Sequence, residues 1–286
     1  AHPLAVEAAL SMLEQGGNAV DAAAAAAFAL TVVEPYGSSI GGDGVALVHL
    51  AETNDIATYT YRCDAPMAIT LDAWFAQADG DGWRNHRGPA VPGMVAGTAT
   101  MHAAHGELPL ATVLAPAIRY AEEGFPVGPT LSRIILDSYD GLAGNPASAE
   151  IFLPDGLPPD PGMTLRNPDL AQTLRLIAED GPEAFYEGPI AERIASYLQS
   201  NGGWITAGDF ARYEVHRREP LHIEYRGYDV YSAPLPFGGL GVLLNLQLLE
   251  ASTFSPSLPL TDPKNLHVYV ECMRLAMRDR YWISGD

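Results

Sequence analysis

Cysteines and basic residues are both scarce in this sequence. The 286-residue chain has two cysteines, Cys63 and Cys272, so a disulfide framework is not expected, although a single bridge between the two stays open. Lysine and arginine together number 16 against 35 aspartates and glutamates, which gives a formal net charge of -19. Nucleic acids and anionic membranes favour positively charged partners, so we expect the chain to bind neither. An anionic substrate would need a locally positive pocket.

Long apolar runs are missing as well. The alanine-rich stretch 19–33 is interrupted by Asp21 and Thr31, so it does not provide the roughly 18 apolar residues that cross a membrane, and we expect no transmembrane segment. No charged leader precedes Ala1; we expect any signal segment to have been removed or to lie outside the sequence, which leaves the compartment open. Because 48% of the residues are hydrophobic, the chain can bury a sizeable core, as one large domain or as two small ones. Of these two, we predict a single domain over residues 1–286.

Histidine patterns typical of metal sites do not occur. None of the eight histidines falls in a His-x-x-x-His pattern with a third ligand, and no Cys-x-x-Cys pair is present. His102 and His105 lie three residues apart on a predicted helix, but no acidic residue is spaced to join them. We therefore expect capping or surface histidines, no metal and no cofactor.

A nucleophile paired with a base is not recognisable either. Ser38 and Ser39 lie in a glycine loop, but they are not part of a Gly-x-Ser-x-Gly elbow that follows a strand. Cys63 beside Arg62 is a candidate thiolate; however, side chains alternate at a strand end, so Cys63 turns to the core if Arg62 faces a pocket. The chain thus lacks a convincing reacting group of its own.

Two glycine-rich segments could present N–H groups to an anion. The segment 37–44 precedes a strand instead of opening a helix, and no Lys-Ser or Lys-Thr follows it, so a structural loop is favoured over a phosphate site. The segment 236–239 precedes a predicted helix, where helix capping is favoured over an oxyanion site.

Helical and strand patterns alternate along the chain in a way that indicates the fold class. Apolar residues recur at helical spacing between capping residues, and two pairs of adjacent strands flank tight turns. Adjacent strand pairs imply antiparallel hairpins, so we predict an α+β fold and not a doubly wound sheet. Predicted helices cover residues 3–14, 19–33, 94–105, 111–124, 129–142, 169–180, 189–199, a short turn after Thr206, 239–250 and 263–281; predicted hairpins pair 45–50 with 56–61 and 221–225 with 228–232; irregular segments cover 71–88, with an exposed turn at 79–82, and 145–163.

Arg62 is the candidate substrate-binding residue. It follows the predicted strand 56–61 directly. A guanidinium presents a planar fork of donors that matches a carboxylate in two parallel hydrogen bonds. The alternative, an internal salt bridge with Asp64, stays open on the sequence alone.

Several motifs, in order along nearly the whole chain, resemble the γ-glutamyltransferase family of N-terminal-nucleophile hydrolases. They are Gly16-Gly17-Asn18-Ala19-Val20-Asp21-Ala22-Ala23, Val33-Glu34-Pro35, Ile40-Gly41-Gly42, Arg62 with Ala65-Pro66, Val91-Pro92-Gly93, Pro116-Ala117-Ile118 with Gly124-Phe125, Leu170-Ala171-Gln172-Thr173-Leu174, Ala184-Phe185-Tyr186-Glu187-Gly188, Asp209 to Tyr213, Tyr225-Arg226-Gly227-Tyr228, and Ala276 to Arg280 with Gly285-Asp286.

The resemblance implies that the chain is the large subunit of a precursor that cleaves itself. The fold implied is an αββα sandwich shared with the small subunit, whose new N-terminal threonine is nucleophile and base, so no catalytic residue is expected here. In the family an arginine at the position of Arg62 grips the substrate's α-carboxylate. This sequence differs from the family pattern at Cys63, where the family has glutamate, at Asp43, where a further glycine is common, and at Phe237-Gly238 in a Pro-Ser-Ser-Gly-Gly-like stretch.

The function implied is γ-glutamyl transfer or hydrolysis of a glutathione-type amide. The expected partners are the small subunit and a small amide substrate that carries a carboxylate. One alternative is an acylase or amidohydrolase of the same type that cleaves a non-glutamyl amide, such as a cephalosporin side chain or an oxamate. A second alternative is a non-catalytic module that binds an anion or an amino acid.

Overall fold

The structure is a computed structural model that describes residues 2–76 and 85–283. The chain forms two compact units: a larger unit, Ala1–Gly44 with Tyr61–Val215, and a smaller unit, Val45–Thr60 with His216–Asp286. The predicted turn at 79–82 and the last motif residues, 285 and 286, lie outside the described residues.

The larger unit is mainly helical. Its described helices are α1 (Pro3–Glu14), α2 (Ala19–Val33), α3 (Leu71–Phe75), α4 (Met94–His105), α5 (Leu110–Glu123), α6 (Pro129–Asp137), α7 (Tyr139–Ala143), α8 (Pro146–Phe152), α9 (Pro168–Asp180), α10 (Glu183–Tyr186), α11 (Pro189–Ser200) and α12 (Ala207–Ala211). Helix α2 packs against α1, α4 and α5, and α5 packs against α9. The core of the unit therefore forms around α2.

Local capping signals explain where the first two helices begin and end. The His2 ring accepts a hydrogen bond from the Leu4 N–H at 3.2 Å, and Gly16 adopts a φ of 87° after α1. Asn18 and Asp21 form a capping box at the start of α2. Alanines of α2 lie buried on several faces of the helix, which lets neighbouring backbones approach closely.

The smaller unit combines sheets with two helices. Its strands are β1 (Gly44–Leu50), β2 (Asp55–Tyr61), β5 (His216–Arg218), β6 (Leu221–Tyr225) and β7 (Tyr228–Ser232), and its helices are α13 (Gly239–Ala251) and α14 (Pro263–Ile283). The remaining two strands, β3 (Phe125–Pro126) and β4 (Thr164–Leu165), form a short antiparallel pair in the larger unit. The sheet order is β1-β2-β5, and β6 pairs with β7 separately. Helix α13 packs against α14 and both strands of the β6–β7 hairpin.

Three local predictions were wrong. The segment 145–163 contains helix α8, because Asn145 caps it by accepting from the Ser148 N–H at 3.1 Å and a proline occupies the first helical position. The segment 71–88 contains α3, whose first turn Thr70 caps. The single helix predicted over 129–142 is two helices, α6 and α7, that meet at Ser138.

Strand β5 was missed because it has no apolar alternation. All three of its residues, His216–Arg218, are exposed. Its pairing with β2 is antiparallel and places Thr58 opposite Arg218. Backbone hydrogen bonds thus pair β5 with β2 although the side chains of β5 do not alternate between apolar and polar, which is the pattern that predicts a strand.

The expectation of surface or capping histidines is wrong for His102, which is only 6% exposed. Its Nε2 lies 3.0 Å from a carboxylate oxygen of Asp21, a fully buried residue. Asp21 also accepts from the backbone N–H groups of Asn18, Glu107 and Leu108 at 2.8–3.1 Å. We call these five residues the Asp21 cluster. It joins the start of α2 to the α4–α5 connection.

Other expectations concern membranes, metals and disulfides. Among the described helices, none combines the length and the apolar character that crossing a bilayer requires. The described residues contain no group of three histidine, cysteine or acidic side chains placed to bind a metal. Cys63 and Cys272 are both free thiols, so the disulfide left open by the sequence is not formed.

Candidate functional site

Arg62 follows strand β2, and its side chain is exposed. The Tyr213 hydroxyl donates a hydrogen bond to the Arg62 carbonyl at 2.9 Å. The next N–H, of Cys63, lies 3.4 Å from a carboxylate oxygen of Asp43. Asp64 and Val91 then exchange two backbone hydrogen bonds, at 3.1 and 2.8 Å. The main chain from residue 62 to 64 is therefore tied to several parts of the larger unit, and we call it the Arg62 segment.

Two stacked tyrosines support this segment. The Tyr213 and Tyr186 rings are nearly parallel, with centroids 5.3 Å apart and an interplanar angle of 17°. The Tyr186 hydroxyl donates to the Pro92 carbonyl at 2.7 Å and accepts from the Ala96 N–H at 3.1 Å. Burial raises the pKa of both phenols, so each hydroxyl stays protonated and able to donate at neutral pH. No role for either tyrosine follows from the sequence alone, although both lie in motifs that carry the family resemblance.

Glycines make room for these aromatic side chains. A Cβ atom added to Gly97 would lie 1.9 Å from the Tyr61 ring, and one added to Gly93 would lie 2.1 Å from both the Tyr213 hydroxyl and the Tyr61 carbonyl. Neither distance is compatible with a side chain larger than hydrogen unless the neighbours move. The Val91-Pro92-Gly93 motif thus has a steric reason: it lets α4 begin directly against the main chain of Tyr61.

The glycine loop 37–44 holds the start of helix α4. The Gly42 carbonyl accepts from the N–H groups of Gly93 and Met94, at 3.0 and 2.9 Å. Within the loop, the Ser39 hydroxyl accepts from the Gly41 N–H at 3.1 Å. These bonds support the interpretation of the segment as a structural loop beside the site.

A small cavity of about 380 Å³ lies beside this loop. Its wall includes the polar side chains of Ser38, Ser39, Asp43, Tyr61 and Thr98. Acyl transfer needs a nucleophile beside a base, and these five groups do not provide that arrangement. None of them is a histidine, a lysine or a terminal amine. The acid among them, Asp43, faces the Cys63 N–H.

Cys63 does not have the environment of a reactive thiolate. It is half-buried, and its sulfur lies 3.9 Å from the Gly41 carbonyl oxygen. Burial and the charge of Asp43 raise the pKa of the Cys63 thiol, and these effects outweigh the neighbouring guanidinium of Arg62. Arg62 is the more exposed of the two residues, but Cys63 is half-buried and does not lie in the core.

The internal salt bridge proposed for Arg62 is not formed. Within the part of the chain that the structure describes, no carboxylate lies within 4.0 Å of its guanidinium, and that includes Asp64. The histidine rings of His102 and His222 contact acids, Asp21 and Asp229, and not a hydroxyl or thiol nucleophile. Among the described residues, the Arg62 guanidinium is thus free of an internal ion pair, and neither of these two histidines is paired with a nucleophile.

Comparison with known proteins gives a consistent family. The family described as Gamma-glutamyltranspeptidase matches residues 5–286. The chain is 38% identical over 295 residues to Acylase ACY 1 proenzyme of Pseudomonas sp. (strain SE83), covering 100% of this chain and 53% of that protein. It is also 38% identical over 289 residues to Glutathione hydrolase proenzyme of Escherichia coli (strain K12), covering 99% and 49%. The chain thus spans about half the length of these curated relatives.

Solved structures give the same result. Helicobacter pylori gamma-glutamyltranspeptidase matches with a TM-score of 0.95 and 34% identity, over 100% of this chain and 83% of that chain. Cephalosporin acylase from Bacillus halodurans matches with a TM-score of 0.88 and 37% identity, over 98% and 53%. These similarities confirm the α+β class and the N-terminal-nucleophile hydrolase fold that the resemblance implied.

Proposed function

Because the chain belongs to the gamma-glutamyltranspeptidase family, we propose that it provides the carboxylate-binding part of an enzyme that transfers or hydrolyses a γ-glutamyl group. One observation carries the proposal. The Arg62 guanidinium is exposed and has no ion-pair partner among the described residues, whereas the main chain that bears it is held by hydrogen bonds. In a protein of net charge -19, such an arginine gives a carboxylate a local positive partner.

The reacting group of this proposal is a threonine at the start of a small subunit cut from the same precursor. Two relatives are named proenzymes, and the chain spans 53% and 49% of them, which supports a second part of comparable length. The threonine oxygen adds to the amide carbonyl while its proton passes to the threonine's own amine. That proton then goes to the departing amine as the C–N bond breaks, and the resulting ester transfers its acyl group to water or to an acceptor amine.

In this scheme Arg62 fixes the substrate. Two parallel hydrogen bonds from the guanidinium fork to the carboxylate set both the position and the angle of the acyl chain. A fixed angle matters because attack on a carbonyl requires the reacting atoms to be aligned at about 3–3.5 Å.

A second candidate is an acylase that cleaves a non-glutamyl amide. The observations that favour it are the 38% identity to Acylase ACY 1 proenzyme and the presence of Cys63 where the family pattern has glutamate. A thiol of raised pKa is neutral, so it does not offer the negative partner that a glutamate provides next to the guanidinium.

Substitution of Arg62 in the complete, processed protein tests the proposal. Arg62→Lys keeps the charge but loses the fork, and Arg62→Ala leaves the carboxylate unpaired. A charge-assisted hydrogen bond contributes about 1.5–3 kcal/mol, so we expect kcat/KM for a γ-glutamyl anilide to fall roughly ten- to a hundredfold, most in the alanine variant. The loss should vanish for an amide substrate without that carboxylate.

Arg133→Ala is the matched control, because Arg133 is an exposed arginine paired with Asp137 on helix α6. It should leave kcat/KM unchanged. An equal loss on all substrates in Arg62→Ala, together with a lower melting temperature, would instead assign Arg62 a purely structural role.

Assays with glutaryl and oxamate-type amides distinguish the two enzymatic candidates. Mass spectrometry of the native protein separates both from a non-catalytic module, which would lack a second polypeptide that begins with threonine.

A further inference from the structure

The Arg62 main chain has one hydrogen bond that comes from a distant part of the sequence. Its carbonyl accepts from the hydroxyl of Tyr213, which lies 151 residues away along the chain. The N–H of the same peptide group, that of Cys63, lies 3.4 Å from a carboxylate oxygen of Asp43, so the Tyr213 hydroxyl makes the shorter of the two side-chain hydrogen bonds that hold this peptide group. The hydroxyl therefore selects one orientation of the peptide group from which the guanidinium side chain extends.

The Tyr213 side chain is itself unable to move freely. Its ring stacks on Tyr186, which is buried and bonded to the Pro92 carbonyl and the Ala96 N–H. On its other side, the Tyr213 hydroxyl occupies the space where a Cβ of Gly93 would be. Tyr213 is thus fixed by the start of helix α4, and its hydrogen bond fixes the Arg62 carbonyl relative to that helix.

The direction of the hydrogen bond is also fixed. A carbonyl oxygen can only accept, so Tyr213 must be the donor and must be protonated. Burial, and then the nearby phenol of Tyr186 and the carboxylate of Asp64, raise the pKa of Tyr213. The donor consequently persists across the pH range in which an amide-cleaving enzyme would be assayed.

We propose that Tyr213 is a positioning residue that orients the Arg62 guanidinium toward the substrate carboxylate, through the hydrogen bond from its hydroxyl to the Arg62 carbonyl. The inference rests on the proposed role of Arg62. It extends that role by assigning substrate specificity to a tyrosine that does not contact the substrate. Removing the hydroxyl leaves the ring stack in place but lets the Arg62 peptide group turn, so the guanidinium points at the carboxylate for a smaller fraction of the time.

The test compares Tyr213→Phe with the wild type in the complete, processed protein. We expect KM for a γ-glutamyl anilide to rise about two- to tenfold, the range that the loss of one neutral hydrogen bond produces, with kcat changed less than KM. KM for an amide substrate that lacks the carboxylate should not change. A merely structural role would lower activity on both substrates alike, which would overturn the proposal.

The matched control is Tyr139→Phe. Tyr139 is also half-buried and also donates to a backbone carbonyl, that of Gly156 at 3.2 Å, but on helix α7. It should leave both KM values unchanged. If Arg62→Ala impairs only the carboxylate-bearing substrate while Tyr213→Phe changes nothing, Arg62 binds substrate and the positioning role is wrong. If Arg62→Ala impairs both substrates equally, the proposed function fails, and the positioning role fails with it.

Cys63 provides a second measurement that does not depend on activity. Cys63 is the next residue after Arg62 and is half-buried, whereas the other cysteine, Cys272, is buried. Loosening the Arg62 peptide group should increase the rate at which iodoacetamide alkylates Cys63 in Tyr213→Phe but not in Tyr139→Phe. Equal alkylation rates in the two variants would contradict a role of the Tyr213 hydroxyl in holding this segment.

Discussion

Asp21 and Arg62 are the charged centres of two polar clusters in the larger unit, and the two are built in opposite ways. Asp21 is fully buried and accepts from three backbone N–H groups and a histidine. Among the residues that the structure describes, Arg62 has a hydrogen-bond partner for its carbonyl and no ion-pair partner for its guanidinium, which is exposed. A charge whose hydrogen-bonding capacity is used inside the protein stabilises the fold, whereas a charge left free on a fixed backbone can bind a ligand.

The largest expected effect on stability comes from breaking the Asp21 cluster. Asp21→Ala removes the acceptor shared by His102 and the N–H groups of Asn18, Glu107 and Leu108. A buried donor left without an acceptor costs about 1–3 kcal/mol, and several donors lose their acceptor at once, so the melting temperature of the complete protein should fall sharply. Asp169→Ala is the matched control, since Asp169 is an exposed acid in the first turn of α9 and should matter little.

The pH dependence of stability should report the same cluster. Burial opposes ionisation of Asp21, but its hydrogen bonds outweigh that cost, and the pKa of Asp21 is lowered. The stabilisation is therefore present above the unfolded pKa of about 3.9 and is lost as the pH falls toward the lower folded value. The stability difference between wild type and Asp21→Asn, measured by denaturant unfolding, should shrink below about pH 4. A difference that stays constant into strong acid would contradict this assignment.

The next largest effect is expected at the Arg62 segment. Gly97→Ala places a Cβ where the Tyr61 ring lies, 1.9 Å from its nearest atom. Overpacking of this kind costs about 1–3 kcal/mol, and relief of the clash should shift Tyr61 and, with it, the next residue, Arg62. We expect a lower melting temperature and a raised KM for carboxylate substrates.

The control for this change is Gly141→Ala on helix α7. Gly141 is a helical glycine with no atom within 4 Å of an added Cβ. Alanine there should stabilise by about 0.5–1 kcal/mol because it restricts the unfolded chain. If Gly97→Ala were equally stabilising, the packing of Tyr61 against helix α4 would not constrain the site.

The two clusters also differ in how far the sequence predicts them. The helix predicted over 19–33 and the short turn predicted after Thr206 are both present, and each begins with a capping box formed by two residues three apart. The Asp21–His102 contact joins residues 81 apart, and the Tyr213–Arg62 bond joins residues 151 apart. No local periodicity encodes such contacts, so Arg62 could be named as a candidate from the sequence, whereas the side chains that support its main chain could not be predicted.

The smallest expected effect concerns Cys63, whose neighbour Arg62 could have made it a nucleophile. The pKa of its thiol is raised, so the group that Cys63→Ser replaces is neutral and half-buried. The proposed reaction does not use it. We expect kcat and KM for a γ-glutamyl anilide to stay within about twofold of the wild type, because serine keeps the size and a weak donor. Steady-state kinetics on the complete protein decide the matter, and Cys272→Ser serves as the comparison for any general effect of removing a thiol. A loss of kcat of a hundredfold or more in Cys63→Ser alone would place the nucleophile in this chain and remove the reason for assigning it to a second subunit.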